Sequence, residues 1–424
     1  MDYKTLSLSD LKATLEDEQK SFKKLQKKAI TVDMTRGRPS KEQLKIAMPM
    51  LENAGTYNYD LAGGDARNYG GLGGTKDAKT LFAEILDVKT DEVVVGDGSS
   101  LDLMYMLVHF AMQFGVLGGT PWNKIKKIKF ICPAPGYDRH FAICAQFGID
   151  MITVPMRADG PDMDMIEGLV KEDDTIKGIW CVPKYSNPTG VVFSDKVVER
   201  MATMKVAASD FRIFWDNSYV VHSLYDTDDK LKNIFDAAKK AGTVNRIYEF
   251  VSTAKITFAG SGVAAFASST ENVDDILKKM FFKQICPNKV NQVMHTSFLK
   301  NLDNVKKIMA QHAAIMRPKF ELFDKKFSEA FAGDNYVTWT KPRGGYFISV
   351  DVKSCAKRIV GLAAEAGVKF TAAGATFPYG NDDNNSNIRI APSVPSLDEM
   401  DYAVDVLISA VKQARMELVL SKLA

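Results

Sequence analysis

Apolar residues recur at helical spacing near the start of the chain, separated by charged residues. They are Leu8, Leu11, Leu15, Phe22 and Leu25. This spacing predicts an amphipathic N-terminal helix of about two dozen residues. Its lysine-rich side is expected to be a solvated face, and the sequence TRGRPS at residues 35–40 breaks the helical pattern.

Between about residues 75 and 270, short β-rich runs alternate with helix-like segments. The β-rich runs occupy residues 93–96, 128–132, 151–155, 176–183, 211–216 and 246–252. Strands and helices in alternation predict an α/β fold, with a mostly parallel central sheet covered by helices on both faces. Ligands bind such sheets at the carboxyl ends of the strands. Residues that carry chemistry are therefore expected directly after the β-rich runs.

The rest of the chain predicts a second, smaller domain. Residues 271–332 have the pattern of long helices, and a β pair, a helix, a last strand and a C-terminal helix follow them. Strands and helices segregated in this way favour an α+β domain. We predict an N-terminal helix and arm at residues 1–48 that is part of the small domain, a large ligand-binding domain at 49–305 and a small C-terminal α+β domain at 306–424.

Composition narrows the class of protein. The chain has 424 residues, of which 46% are hydrophobic and 25% charged, as is typical of soluble globular proteins. Its 55 basic and 52 acidic residues give a net charge of +3, which leaves no electrostatic footprint for nucleic acid or anionic lipid. No secretory signal is visible, and no apolar run approaches the roughly 18 residues of a membrane span.

Cysteine and histidine usage favours neither disulfides nor a metal site. The five cysteines include no Cys-x-x-Cys pair, and the five histidines form no i, i+4 pair with an acid. We interpret the cysteines as reduced, mostly buried thiols, and we expect a cytoplasmic protein without a bound metal.

Five features at the ends of β-rich runs or within the last predicted strand are candidates for chemistry. They are GDGSS at 96–100, NPTG at 187–190, DNSY at 216–219, STAK at 252–255 and Arg389. Glycines and free amides at a helix start favour a phosphate, and a desolvated lysine forms Schiff bases. Each feature alone also has an ordinary explanation, such as a capped turn, a surface lysine or an internal salt bridge.

The order of these features resembles that of a known family. Asp216 follows Asn187 by 29 residues, Lys255 follows Asp216 by 39 residues, and an arginine comes late in the chain. Over nearly its whole length the chain resembles pyridoxal-phosphate enzymes of fold type I, specifically class I/II aminotransferases. A narrower likeness, to the bacterial aspartate aminotransferase subgroup also labelled MocR-like, is carried by several motifs. They are PGYDRHF (135–141), TAKITFAGSGVAA (253–265), CPNKVNQ (286–292), PRGGYF (342–347) and GATFPYG…NIRIAPS (374–393).

The resemblance implies pyridoxal 5'-phosphate as the cofactor and assigns residues to it. Lys255 matches the lysine that holds the cofactor as a Schiff base. Asp216 matches the acid that pairs with the pyridine nitrogen, and its charge would keep that nitrogen protonated so that the ring acts as an electron sink. Tyr219 and Asn187 match the partners of the ring's phenolic oxygen, and Tyr137 matches the aromatic residue stacked on the ring.

A second group of residues is assigned to the cofactor's phosphate. Gly98, Ser99 and Ser100, with Ser252, match the phosphate cup of the family. Tyr69 resembles the tyrosine that reaches the phosphate of the neighbouring subunit. The resemblance therefore implies a homodimer with shared active sites, in which the large domain binds the cofactor.

The remaining assignments concern the substrate. Arg389 resembles the arginine that grips the α-carboxylate, with Asn187 beside it, and Gly37 resembles the glycine that closes over the substrate. The subgroup implies ping-pong transfer of the amino group of L-aspartate to 2-oxoglutarate. A dicarboxylic substrate needs a second cation. The candidates are Arg36, Arg38, Arg67, Arg139 and Arg343, of which we favour Arg38 or Arg343 because they lie beside glycines near matched motifs.

The chain departs from the family pattern at two positions. Class I enzymes usually carry a phosphate-binding arginine about eight residues after the lysine, where this chain has Gly262 and Val263. We expect Ser261 or an unidentified cation to take its place. Ala254 also replaces a frequent serine before the lysine.

Two other functions stay open at this point. The same cofactor site would serve another fold type I reaction, such as transamination of a different amino acid, β-elimination or decarboxylation. The MocR label also raises a DNA-binding regulator with an aminotransferase-like sensor domain. Only about 35 residues precede TRGRPS, which we expect to be too few for the winged helix-turn-helix domain of such regulators.

Overall fold

The computed structural model of the protein describes residues 3–423. Its α-helices are α1 (Leu8–Gln26), α2 (Lys41–Ile46), α3 (Met48–Glu52), α4 (Lys76–Leu86), α5 (Ser100–Phe114), α6 (Asp138–Gln146), α7 (Met163–Glu172), α8 (Asp195–Thr203), α9 (Ile234–Ala241), α10 (Thr270–Met280), α11 (Lys289–Leu299), α12 (Leu302–Phe331), α13 (Ala356–Glu365) and α14 (Leu397–Leu423). Its strands are β1 (Val32–Asp33), β2 (Asp60–Leu61), β3 (Gly64–Asp65), β4 (Val93–Val95), β5 (Lys129–Ala134), β6 (Asp150–Arg157), β7 (Gly160–Pro161), β8 (Ile176–Cys181), β9 (Arg212–Asp216), β10 (Ile247–Ser252), β11 (Ala264–Ala267), β12 (Val337–Trp339), β13 (Ile348–Val352), β14 (Val368–Lys369) and β15 (Asn387–Ile390).

The central sheet has eight strands in the order β4-β11-β10-β9-β8-β5-β6-β7. Pairing is parallel from β10 through β9, β8 and β5 to β6, whereas β11 is antiparallel to both β10 and β4, and β7 is antiparallel to β6. The predicted α/β fold with a mostly parallel sheet is confirmed. All six predicted β-rich runs fall on strands of this sheet. The β7 and β11 strands were not predicted from the pattern.

Helices cover both faces of this sheet, and the strand residues are accordingly buried on both sides. All five residues of β9 are buried, as expected for a parallel strand between two helical layers. Ile213 and Trp215 point into the apolar cluster with α4, α7, α8 and α9, whereas Phe214 points into the cluster with α5, α6 and α10. Since successive side chains of a strand alternate between faces, the backbone of β9 is fixed from both sides.

A smaller antiparallel sheet, in the order β12-β13-β15, lies in the C-terminal part of the chain. It packs with α12, α13 and α14 around a second apolar core, in which the rings of Phe323 and Phe327 stack with centroids 4.3 Å apart. The α12 helix runs from Leu302 to Phe331 and spans the predicted division at residue 305. That division stays a prediction. No helix within residues 3–423, including this one, is long and apolar enough to cross a membrane.

The N-terminal helix and the segment after it lie against this C-terminal part. The α1 helix has 19 residues and begins at the cap Ser7, whose side chain accepts from the backbone of Asp10. Tyr402 of α14 donates to the carbonyl of Leu25 at 3.1 Å. The short strand β1 then pairs in parallel with β14. This pairing places residues 35–40, the arm, at the carboxyl edge of the central sheet.

The interior of the central sheet holds one acid whose pKa is strongly changed by burial. Glu249 of β10 is 4% exposed, and Asn217 Nδ2 donates to its Oε1 at 2.7 Å. Burial raises the pKa of this carboxyl to about 8, and the charge of Asp87 adds to the rise. Both Glu249 and Asn217 line a cavity of about 520 Å³ behind Trp215. The carboxyl is therefore held in its protonated form at neutral pH.

Because Glu249 is buried, we predict that the stability of the protein depends on pH and that Glu249→Gln removes this dependence. The raised pKa means that the contribution of Glu249 is full below its ordinary value of 4.5 and is lost as pH rises towards about 8. The amide introduced by the substitution would keep the acceptor for Asn217 without titrating. We expect the wild-type protein to lose up to about 1.4 kcal/mol per pH unit more than the variant across this window. Urea unfolding at several pH values measures the free energy of unfolding of both proteins. An equal difference between wild type and variant at pH 5.5 and pH 8 would contradict the prediction.

Candidate active site

The carboxyl ends of β8, β9 and β10 open into a cavity of about 240 Å³. Its wall contains most of the residues assigned from the sequence. They are Gly37, Ser99, Ser100, Tyr137, Asn187, Asp216, Tyr219, Ser252, Lys255 and Arg389. Gly98 precedes this wall, and Tyr69 lies outside it with a side chain that is 77% exposed. The structure thus brings together residues that are far apart in the sequence.

Lys255 ends a 3₁₀ turn, Thr253–Lys255, that follows β10 directly. The turn is fixed because the side chain of Thr253 accepts from the backbone N–H of Val263 at 2.9 Å. Lys255 Nζ lies 5.2 Å from the ring centroid of Tyr219 and 5.9 Å from that of Tyr346. Burial lowers the pKa of this amine below its ordinary value of 10.5, and the charge of Asp216 acts against the shift. A lysine with a lowered pKa suits nucleophilic and general-base roles.

Asp216 ends β9 and is 4% exposed. Ser218 Oγ donates to its Oδ1 at 2.5 Å, and His140 Nε2 lies 3.1 Å from its Oδ2. The His140 ring stacks on Trp180, with centroids 4.5 Å apart, so the imidazole is held in place. These two donors satisfy both oxygens of the buried carboxyl group. The sequence motif PGYDRHF contained His140, but its contact with Asp216 was not predicted.

Tyr219 and Asn187 are both 4% exposed in the same wall. Burial raises the pKa of the Tyr219 hydroxyl well above 10, so this group acts as a neutral hydrogen-bond partner at neutral pH. Asn187 Oδ1 lies 3.4 Å from Arg389 Nη1. Asn187 therefore lies beside the arginine in the cavity wall.

The opposite end of the cavity is the N-terminus of α5. Ser99 is its N-cap residue, and its side chain makes no capping hydrogen bond. Gly98 has a φ of +55°, and the space where a Cβ would lie is open. The Ser100 hydroxyl lies 3.2 Å from that of Ser218, and Ser252 Oγ accepts from the N–H of Ala254. Amides and hydroxyls of this kind at a helix start form a site for an anion.

The position of the missing arginine holds no cation. Val263 is buried, and its backbone N–H is bonded to Thr253. The Ser261 hydroxyl donates to Asn291 Oδ1 at 3.2 Å, outside the cavity wall. The expected substitution of the arginine by Ser261 is therefore not seen as a contact with the cavity and stays a prediction.

Arg389 of β15 is 5% exposed and makes contacts on several sides. Nη1 donates to Asp138 Oδ1 at 2.8 Å, and Nη2 donates to the hydroxyl of Thr371 at 3.0 Å and to the carbonyl of Thr35 at 3.3 Å. The guanidinium carbon lies 4.9 Å from the ring centroid of Phe347. Nε is buried and has no protein partner. One strong donor of this arginine is thus left for another acceptor.

The arm closes the cavity on the side of Arg389. A Cβ at Gly37 would lie 2.7 Å from Cζ of Phe347 and 3.0 Å from Cβ of Tyr346, so the backbone approaches as closely as glycine allows. Arg36 and Arg38 flank this glycine and line the cavity.

The other three arginine candidates for a distal carboxylate are not part of the cavity wall. Arg343, which was favoured with Arg38, donates to Asp229 at 3.2 Å. Arg67 pairs with Asp65 at 2.7 Å. Arg36 and Arg38 of the arm are therefore the candidates that line the cavity.

Residues 6–422 match the model of the family described as aspartate amino-transferase. The chain belongs to the aspartate aminotransferase family. An aspartate aminotransferase from Corynebacterium glutamicum is 42% identical over 409 residues, which cover 95% of this chain and 94% of that protein. A crystal structure of an aspartate transaminase from Corynebacterium glutamicum matches with a TM-score of 0.95 and 40% identity, over 99% of both chains.

More distant structures share the fold of this aminotransferase. An α-aminoadipate aminotransferase from Thermus thermophilus, solved as a complex with N-(5'-phosphopyridoxyl)-L-leucine, matches with a TM-score of 0.72 and 20% identity, over 93% of this chain and 94% of that one. At that identity the likeness shows the fold alone. Together with the closer match it confirms the predicted fold type I architecture.

The contact of Gly37 with Phe347 predicts the effect of one added methyl group in this aminotransferase. In Gly37→Ala the arm has to move away from Phe347 and Tyr346, since overpacking costs about 1–3 kcal/mol. We expect KM for the amino donor to rise at least about fivefold at that cost, as measured by steady-state kinetics. Gly55→Ala is the matched control, because a Cβ at Gly55 has no atom within 4 Å. Equal KM values for the two variants would contradict the predicted role of the arm.

Proposed function

We propose that this aminotransferase uses pyridoxal 5'-phosphate to transfer the amino group of L-aspartate to 2-oxoglutarate in two half-reactions. The observation that carries the proposal is the cavity in which the Lys255 amine, the Asp216 carboxylate and the free N-terminus of α5 come together. The amine suits the aldehyde of the cofactor, the carboxylate suits its ring nitrogen, and the helix N-terminus suits its phosphate.

The residues of the cavity fit this cofactor. Ser99 leaves the amides of the α5 N-terminus without a side-chain cap, so they are available to a phosphate. Asp216 is buried but keeps two side-chain partners, which suits a carboxylate that faces a protonated ring nitrogen. Gly98, Ser100 and Ser252 would complete the phosphate end. When bound, pyridoxal phosphate supplies an electron-withdrawing ring that accepts the charge left when the substrate Cα loses its proton.

Lys255 is proposed as the group that moves this proton. Burial lowers the pKa of its amine, which favours the uncharged form that can take a proton at Nζ. Tyr219 and Tyr346 flank the amine and limit its movement. Asp216 lies in the same wall, and its charge keeps the pKa from falling further.

Arg389 is proposed to bind the α-carboxylate. Its Nε is buried without a partner, and an unpaired charged donor is costly until an acceptor arrives. Asn187 lies beside the same guanidinium. Asp138 already holds Nη1, so the substrate meets an arginine that is oriented before it binds. The closing arm, with Gly37, would then cover the bound substrate.

Aspartate is proposed as the amino donor because of the arginines of the arm and because of the name of a similar protein. Arg36 and Arg38 line the cavity next to Arg389, where they would meet a second carboxylate. The relative from Corynebacterium glutamicum is named an aspartate aminotransferase. Arg38 is the residue that we favour, since it lines the cavity and its ion pair with Asp33 is long, at 3.8 Å, whereas Arg343 lies outside the cavity wall.

Further proposals concern the oligomeric state, the cellular location and the subgroup of the protein. The exposed Tyr69 suits a homodimer in which it reaches the phosphate of the neighbouring subunit. A dimer of this kind would also supply contacts that the phosphate lacks within one chain. We also propose that the protein is cytoplasmic and belongs to the MocR-like subgroup, as its motifs indicate.

The proposed function is tested by the first half-reaction alone. Mixed with L-aspartate and no acceptor, the holoenzyme should release one oxaloacetate per active site, measured by a coupled dehydrogenase assay. L-Asparagine is the matched control substrate, because it has the same shape without the distal charge. We expect kcat/KM to be at least about 100-fold lower for asparagine, since a charged group then loses its partner.

The protein control is Lys255→Ala, which should release no more than a trace of oxaloacetate. Retained turnover in this variant would contradict the role of the lysine. Equal use of asparagine and aspartate would contradict the substrate while leaving the aminotransferase assignment in place.

A further inference from the structure

A chain of buried hydrogen bonds connects the arm to the backbone of Lys255. Its central member is Gln43 of α2, which is fully buried. Ser40, the last residue of the arm, donates its backbone N–H to Gln43 Oε1 at 3.0 Å, and Gln43 N donates to Ser40 Oγ at 3.3 Å. These two bonds form a capping box, which fixes the amide of Gln43 with its oxygen towards the arm.

The nitrogen of the same amide faces the opposite way, towards the lysine turn. Gln43 Nε2 lies 3.1 Å from His312 Nδ1 and 3.0 Å from the hydroxyl of Tyr346. Since Nε2 can only donate, His312 Nδ1 has to accept. Burial lowers the pKa of His312 to about 4, so the ring stays neutral and Nδ1 stays an acceptor at neutral pH.

The direction of the remaining bonds follows from this. A neutral imidazole that accepts at Nδ1 carries its proton on Nε2, and His312 Nε2 lies 3.0 Å from the carbonyl of Ile256. Tyr346 donates its hydroxyl to the carbonyl of Lys255 at 3.4 Å. One amide thus holds, through two side chains, the carbonyls of Lys255 and of the residue after it.

The arm, at one end of this hydrogen-bond network, also reaches the cavity. Gly37 of the arm packs against Tyr346, and the Tyr346 hydroxyl donates to the carbonyl of Lys255. Tyr346 therefore contacts both the arm and the lysine turn. The hydroxyls of Ser393 and Thr371 hold the arm by its carbonyls, at Arg38 and Thr35, both at 2.7 Å. These contacts fix the arm locally, whereas the Gln43 amide and the Tyr346 side chain connect the arm to the lysine turn.

We propose that Gln43 is a positioning residue, which couples closure of the arm to the placement of the Lys255 turn. The proposal rests on the proposed function, because it takes Lys255 as the reacting group. A substrate that draws in the arm would, through this amide, also fix the carbonyls next to the lysine. Gln43 Nε2 also donates to Met316 Sδ at 3.2 Å. Gln43 does not line the cavity, and it reaches the lysine turn through His312 and Tyr346.

The test replaces Gln43 by Met, which keeps the length of the side chain and removes its donor and its acceptor. Two readouts are needed on the holoenzyme. Tryptic cleavage between Arg36 and Gly37 measures release of the arm; the next arginine is followed by proline and resists trypsin. The pH midpoint of the visible absorbance of the bound cofactor reports the environment of the lysine nitrogen. We expect cleavage to be about tenfold faster in Gln43→Met, the absorbance midpoint to shift, and kcat to fall at least about tenfold.

Three further variants separate coupling from simple loss of a buried side chain. Ser40→Ala removes a capping hydroxyl but leaves the Gln43 amide in place, and it should move the absorbance midpoint little. Gln413→Met is the matched control, a buried glutamine of α14 bonded to Ser409, and it should change neither readout. Where Gln43→Met does not fold, Tyr346→Phe removes one hydroxyl of the chain and should shift both readouts in the same direction by a smaller amount.

The proposal would be overturned by an unchanged absorbance midpoint and kcat in Gln43→Met despite faster cleavage, or by a Ser40→Ala variant that reproduces the full effect of Gln43→Met. Unchanged cleavage would overturn it as well. Failure of the wild-type enzyme to transaminate would instead contradict the proposed function. The cleavage comparison does not depend on activity and separates the two failures.

Discussion

The candidate site depends on one constraint, the burial of the Lys255 amine in a cavity that also holds a carboxylate. Burial lowers the pKa of the amine, and the charge of Asp216 opposes the shift. A fully exposed lysine would stay protonated at neutral pH, and one with no negative partner would be costly to charge at all. Burial therefore favours the uncharged, nucleophilic amine more than in an exposed lysine. The other polar groups of the cavity are arranged around these two charges.

The central sheet produces this arrangement through its topology. Parallel neighbours β8, β9 and β10 end at the same edge, so the residues that follow them converge although long stretches of chain separate them. The apolar faces of β9 fix its backbone from both sides and thereby the position of Asp216. Both cores contribute to the site, because Arg389 and Tyr346 come from the C-terminal part of the chain.

The residues that lie in motifs could be predicted from the sequence, and the pairs formed across the fold could not. Asp216 and Lys255 stand at or shortly after the end of a β-rich run, and this local pattern can be recognised in the sequence. The partner of Asp216, His140, is 76 residues away, and the partner of Arg389, Asp138, is 251 residues away. Gln43 looks like an ordinary helix residue in the sequence, and its contact with His312 spans 269 residues. The β11 strand was missed because three of its four residues are alanine, which has a low strand propensity.

The central claim is that one lysine of this chain reacts with the cofactor and that its neighbours make it reactive. Reduction of the holoenzyme with borohydride, followed by digestion and mass mapping, tests it most directly. The account predicts a single pyridoxyl label, on Lys255, in a protein that contains 42 lysines. A label on another lysine, or labels spread over many lysines, would contradict it.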